Sequence, residues 1–98
     1  MIRSFGDKAT EDIWNGDNTA AARRIPREIW KAAYRKLDMI RAAYELGDLR
    51  IPPGNRLERL KGNLKDYHSI RINDQYRILF KWEHGAADEV EIADYHRG

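Results

Sequence analysis

Two alternating stretches in the second half of the chain carry its clearest pattern. In residues 67–72, Ile70 and Ile72 fall on one side of an extended segment; in residues 76–82, Tyr76, Ile78, Phe80 and Trp82 do the same. A three-residue turn, Asn73-Asp74-Gln75, sets Ile72 opposite Tyr76 and Ile70 opposite Ile78, so both apolar rows share a face. A two-residue turn would oppose Ile70 to Arg77 and split the core, so the pattern predicts an antiparallel hairpin with the longer turn. A further strand over residues 89–94 buries Val90 and Ile92 and delivers Asp94, Tyr95 and His96 at its C-terminal end. Residues 1–5 alternate weakly and predict a short first strand, for about five strands in all.

Helical spacing dominates the first half. Asp7 is a good N-cap for a helix from residue 8 to about 14, stopped by Asn15-Gly16-Asp17-Asn18. A second helix has Pro26 in its first turn and Gly47 as its terminator. Ile29, Ala33, Leu37, Ile40 and Tyr44 recur along it at spacings of three and four, an apolar stripe, while Arg27, Glu28, Lys31, Arg35, Asp38 and Arg41 take the other face. Pro52-Pro53-Gly54 makes a stiff connector into the β part, so the order of elements predicts an α+β fold. Trp14 is open to a role in the core or in a contact, and the polar, alanine-containing stretch 16–24 to mobility in the free chain.

At 98 residues, with 42% hydrophobic content, the chain is expected to form a single domain, 1–98, around one core. It has no cysteine, which excludes disulfide scaffolds, thiolate zinc sites and cysteine nucleophiles and fits the reducing cytoplasm. Residues 1–7 lack the apolar run of a secretion signal, and no segment approaches the roughly 20 apolar residues of a membrane span, so neither export nor anchoring is expected.

The net charge of +2 conceals an uneven distribution. Residues 50–81 hold Arg50, Arg56, Arg59, Lys61, Lys65, Arg71, Arg77 and Lys81 against Glu58, Asp66 and Asp74. Residues 83–94 reverse the bias, with Glu83, Asp88, Glu89, Glu91 and Asp94 and no lysine or arginine; beside the basic strands they would confine the positive field to a patch. The hairpin register puts Arg71 directly across from Arg77, on the face with Tyr67, Ser69 and Lys81. Like charges directly opposite are unfavourable. Such a pair is either solvated surface or the two sides of an anion site, and RNA phosphate is the anion that a basic hairpin suits. Arg71, Lys81, Arg56 and Arg59 are therefore candidate RNA or phosphate contacts. His96 is either an incidental surface residue or a proton carrier near neutral pH, and His68 and His84 are weaker candidates. Metal-ligand spacing, a glycine-rich phosphate loop and a Gly-x-Ser-x-Gly elbow are all missing from the sequence, so no cofactor or metal is expected.

Three runs carry a family resemblance: Pro52-Pro53-Gly54-Asn55-Arg56-Leu57-Glu58-Arg59-Leu60-Lys61-Gly62, Ser69-Ile70-Arg71-Ile72-Asn73-Asp74-Gln75-Tyr76-Arg77-Ile78, and Asp94-Tyr95-His96. Over nearly its whole length the chain resembles HigB toxins of the RelE/ParE superfamily. The resemblance implies a RelE-like fold, two N-terminal helices packed on a twisted, mostly antiparallel sheet. It also implies a bacterial toxin–antitoxin pair whose toxin cuts messenger RNA in the ribosomal A site without a metal ion.

Carried over by position, the resemblance makes Lys61 and Arg77 the holders of the scissile phosphate and stabilisers of its developing charge. It makes His96 a general acid or base, Asp94 the group that orients it or its neighbour, and Tyr95 a base-stacking or positioning ring. Glu58 stands where some relatives carry histidine; it is open to a proton role or to being a solvated partner of Arg56 or Lys61. A single histidine at such a centre implies weak activity on free RNA and dependence on the 70S ribosome to orient the message. The implied partner is a HigA-like antitoxin with a helix-turn-helix region, promoter DNA being bound only through that complex. Two other readings remain at this point, a ParE-like inhibitor of DNA gyrase and a non-catalytic ribosome- or RNA-binding module.

Overall fold

Asp7 starts the first helix with its side chain. In the computed structural model, which describes residues 1–95, its Oδ1 accepts the Thr10 N–H at 2.9 Å and α1 runs Lys8–Asn15. Gly16 ends the helix at φ 78°, a left-handed conformation in which its N–H reaches the carbonyls of Asp12 and Ile13. The stretch that follows is fastened down. Thr19 Oγ1 donates to Asp12 Oδ2 at 2.6 Å and accepts the Ala22 N–H at 3.0 Å, and Ala22 is fully buried. Trp14 is half-buried and stacks on Tyr34 with ring centroids 5.0 Å apart.

The second helix is shorter than its apolar stripe predicts. Arg27–Ile29 form a 3-10 turn, α2 proper spans Trp30–Ala42, and Gly47 sits in a separate 3-10 turn, Leu46–Arg50. The cause is a competing cap: the Asp48 carboxylate accepts the N–H groups of Tyr44 and Glu45, each at 3.0 Å, so the chain starts a new turn there. Tyr44 leaves the stripe and is 88% exposed, while Ala33, Leu37 and Ile40 keep it, all fully buried.

Among the described residues four strands, not five, form an antiparallel sheet in the order β1-β2-β3-β4: β1 Glu58–Arg59, β2 Tyr67–Arg71, β3 Tyr76–Glu83 and β4 Ala86–Asp94. The predicted first strand is reduced to two isolated parallel bridges, Ile2 to Ala87 and Phe5 to Val90. β4 is irregular along that stretch: its register against β3 shifts between Leu79 and Lys81, and Glu89 takes φ 50°, which interrupts a continuous ladder. Among the described residues no helix is long and apolar enough to cross a membrane.

The β2–β3 hairpin has the predicted register, Ile70 opposite Ile78 and Arg71 opposite Arg77. Asn73 Oδ1 holds the turn by accepting the N–H groups of Gln75 at 2.9 Å and Tyr76 at 2.7 Å. On one face Ile70, Ile78, Phe80, Val90 and Ile92 join the α2 stripe in one core. On the other face Ser69 and Leu79 are also buried, and Arg71 and Arg77 stand beside them.

His68, half-buried with its ring 6.0 Å from Phe80, gives a pH test of this packing. Burial, and secondarily Arg59, holds its imidazole below the ordinary histidine value near 6.5. The unfolded chain therefore takes up this proton first as pH falls. The contribution to stability is complete above about pH 6.5 and is lost progressively as pH drops toward the folded value. Glu91, whose carboxyl is pushed up by burial and then by Asp7 and Glu89, acts in the opposite sense nearer the carboxylate range. Thermal unfolding between about pH 7.5 and pH 5.5 should cost the wild-type chain more than His68→Phe, in which Glu91 is unchanged; equal losses would mean that the imidazole is not the source.

Candidate functional site

Beside the β2–β3 turn, a cleft of about 450 Å³ is lined by Arg56, Leu57, Glu58, Arg71, Asp74 and Arg77. The sheet register assembles it. Glu58 lies opposite Ser69, Ser69 opposite Leu79, and Arg77 one diagonal step from Ser69 on the same face. Arg77 is the fixed member. Its Nε donates to Ser69 Oγ at 2.8 Å and its Nη2 to the Arg56 carbonyl at 2.6 Å; Glu58 Oε1 lies 3.6 Å from Nη2. Arg71 is held differently, by an ion pair to Asp74, whose side chain is 97% exposed. So exposed a pair is worth little in water, and Arg71 can exchange that carboxylate for another anion.

Burial, then Arg71, lowers the proton affinity of Arg77, and Tyr95 opposes this from nearby. The guanidinium remains charged, as arginine does in proteins. The arrangement is thus a partly desolvated cation anchored at two points next to a cation paired with an exposed carboxylate, which suits a phosphate or another oxyanion.

The turn that offers the Arg56 carbonyl is anchored from the helical layer. Asn55, fully buried, accepts Lys36 Nζ at 2.5 Å through Oδ1 and donates through Nδ2 to the carbonyls of Leu49 at 3.2 Å and Ile51 at 3.5 Å. Arg56 then takes φ 45°, which turns the chain into β1. In the sequence nothing singles out Lys36, Asn55 stands only inside the run that begins at Pro52, and Ser69 stands only inside the run that begins with it and on the arginine face.

The remaining candidates are spread more widely. Tyr95 is half-buried, with its N–H donating to the Gln75 carbonyl at 3.1 Å. Lys61 is exposed, two residues past β1, at the head of the 3-10 turn Gly62–Leu64. Arg59 and Lys81 line a separate depression with Asp66, His68, Trp82 and Glu83. There Arg59 Nε donates to the Lys65 carbonyl at 3.0 Å, and Lys81 pairs with Glu89 at 2.7 Å and lies over the Tyr67 ring. The acidic strand thereby neutralises one end of the basic face, as its charge bias suggests. Asp94 is opposite Tyr76, on the helix-facing side of the sheet, where it accepts Gln75 Nε2 at 2.9 Å and lines a depression with Lys8, Arg24 and Ile92. His96 lies outside the described residues.

A model of the RelE-like toxins of type II toxin–antitoxin systems, HigB, matches residues 3–96. The chain belongs to this HigB-like toxin family. Toxin HigB-1 of Vibrio cholerae is 48% identical over 87 residues, covering 89% of this chain and 90% of that protein. Endoribonuclease HigB of Proteus vulgaris is 29% identical over 96 residues, covering 98% and 100% respectively. Among solved structures, a chain of the YoeB–YefM complex from Staphylococcus aureus superposes with a TM-score of 0.60 at 16% identity, over 99% of both chains. The HigB-like toxin thus shares the RelE-like α+β architecture, with the arginine cleft beside the turn of its β2–β3 hairpin.

Proposed function

We propose that this chain is a ribosome-dependent endoribonuclease that cuts messenger RNA in the A site and so halts translation. The supporting observation is Arg77, fixed between Ser69 Oγ and the Arg56 carbonyl in a cleft it shares with Arg71. Membership in a toxin family with a relative named as an endoribonuclease points the same way.

The reaction suits these parts. The RNA 2′-hydroxyl loses its proton and bonds to the adjacent phosphorus, the bond to the 5′-oxygen breaks, and that oxygen gains a proton, leaving a 2′,3′-cyclic phosphate. Arg77 and Arg71 hold the non-bridging oxygens and offset the charge that grows on them. Lys61 supports the same phosphate from the β1 side, Tyr95 stacks on a base or positions the substrate, and His96 carries a proton. Asp94, on the other side of the sheet, acts through its neighbours at the strand end. Glu58 sits close enough to Arg77 to orient it or to share in proton transfer. The substrate brings its own nucleophile, so the reading invokes no metal and no cofactor. The ribosome supplies the codon in a fixed orientation. A HigA-like antitoxin with a helix-turn-helix region is the proposed partner, with promoter DNA reached through it, and the cytoplasm is the proposed location because the ribosomes are there.

The test is a translation reaction with purified 70S ribosomes and a defined message, mapped by primer extension for the wild type and His96→Ala. Cuts within A-site codons that disappear in the variant are expected. A message left intact by the wild type in the presence of ribosomes would overturn the reading and turn attention to a gyrase supercoiling assay.

A further inference from the structure

An arginine that stabilises charge on a phosphate is useful only if its guanidinium plane stays where the charge develops. A single hydrogen bond leaves that plane free to swing about the contact; two bonds to different segments of the chain do not. Arg77 has both: Nε to Ser69 Oγ at 2.8 Å from within the sheet, and Nη2 to the Arg56 carbonyl at 2.6 Å from the turn before β1. The Ser69 backbone carbonyl adds a longer contact, 3.4 Å from Nη2. From this geometry we infer that Ser69 is a positioning residue for Arg77, an inference that rests on the cleft being the phosphate site.

Three features favour this role over simple packing. Ser69 is fully buried, and a buried hydroxyl requires a hydrogen-bond partner; Arg77 Nε–H serves as one. The serine lies one diagonal step from Arg77 on the same face, so a short side chain on β2 reaches the Nε of a long one on β3. Its neighbours across the strands are Glu58 and Leu79, neither of which can replace the neutral oxygen that accepts from Nε without adding charge or removing the acceptor. If only volume mattered at this position, alanine would serve as well.

Ser69→Ala removes one oxygen and keeps the backbone and most of the volume. Single-turnover cleavage of ribosome-bound message should fall about ten- to hundredfold in rate, the scale of a displaced catalytic group, with toxin–ribosome affinity within about threefold of wild type. A second readout does not depend on cleavage. In ¹⁵N spectra the Arg77 Nε–H should be protected from solvent exchange in the wild type and exchange rapidly in Ser69→Ala. Should the alanine variant fail to fold, Ser69→Cys, similar in shape with a weaker acceptor, takes its place and should give a smaller loss of the same kind.

Wild-type cleavage by the folded variant, or unchanged Nε–H protection, would overturn the inference. If the wild-type chain itself does not cut ribosome-bound message, the nuclease reading fails instead, and the exchange measurement still decides whether Ser69 holds Arg77.

Discussion

Arg77→Lys should lose nearly as much cleavage as Arg77→Ala, about 10²–10³ in kcat, although it preserves the charge. Lysine is a compact point charge on a flexible stem, and it lacks the planar fork that spans Ser69 Oγ and the Arg56 carbonyl while facing a phosphate. The ammonium would settle on one of those oxygens or move toward Glu58, whose Oε1 already lies 3.6 Å from the arginine. Either choice moves the charge by more than transition-state stabilisation tolerates. Single-turnover cleavage on saturated ribosomes, with near-UV circular dichroism to verify the fold, makes the comparison. A lysine variant that retained more than about a tenth of wild-type activity would mean that charge alone suffices and that the two-point attachment is incidental.

This site was legible in the sequence to the extent that it follows from period-two alternation. Once Ile70 had to face Ile78, Arg71 had to face Arg77, and the only choice left was the length of one turn. The same alternation assigns Asp94 to the side of Ile92, the face opposite Arg77. What stayed hidden depends on contacts between distant segments. Ser69 could be placed on a face, but its bond to Arg77 depends on side-chain reach across the ladder. The early end of α2 depends on Asp48 reaching back to Tyr44 and Glu45, a local competition that an apolar stripe does not register. The expected strand over residues 1–5 did not form because those residues meet a distorted stretch of β4, and no periodicity in residues 1–5 could have reported that bulge.

Asn55 is the strongest case of such hidden information, and its replacement should have a large effect on stability. Asn55→Ala is expected to destabilise the fold by about 2–4 kcal/mol, lowering the melting temperature by roughly 10–25 °C. The side chain is fully buried and bonds on both sides: Lys36 Nζ to its Oδ1, and its Nδ2 to the carbonyls of Leu49 and Ile51. Alanine strips those groups of these bonds at once. The most costly loss is at Lys36, whose proton affinity is already reduced by burial and then by the charges of Arg35 and Arg71. Asn55→Asp should recover less than half of the loss. Its carboxylate still accepts from Lys36 but sets negative oxygen against the two carbonyls that the amide had satisfied. Lys36→Met, introduced together with Asn55→Ala, should restore part of the stability because it removes the charge left without that acceptor. Equilibrium denaturation of the two single variants and the double variant measures that coupling. Additive losses would show that the ammonium is not what makes Asn55 costly to remove. Since Arg56 follows directly and lends its carbonyl to Arg77, the folded fraction of Asn55→Ala should also cut more slowly well below its melting temperature. A strut between α2 and the arginine cleft requires that link between stability and rate, whereas a purely structural asparagine would leave the rate per folded molecule unchanged.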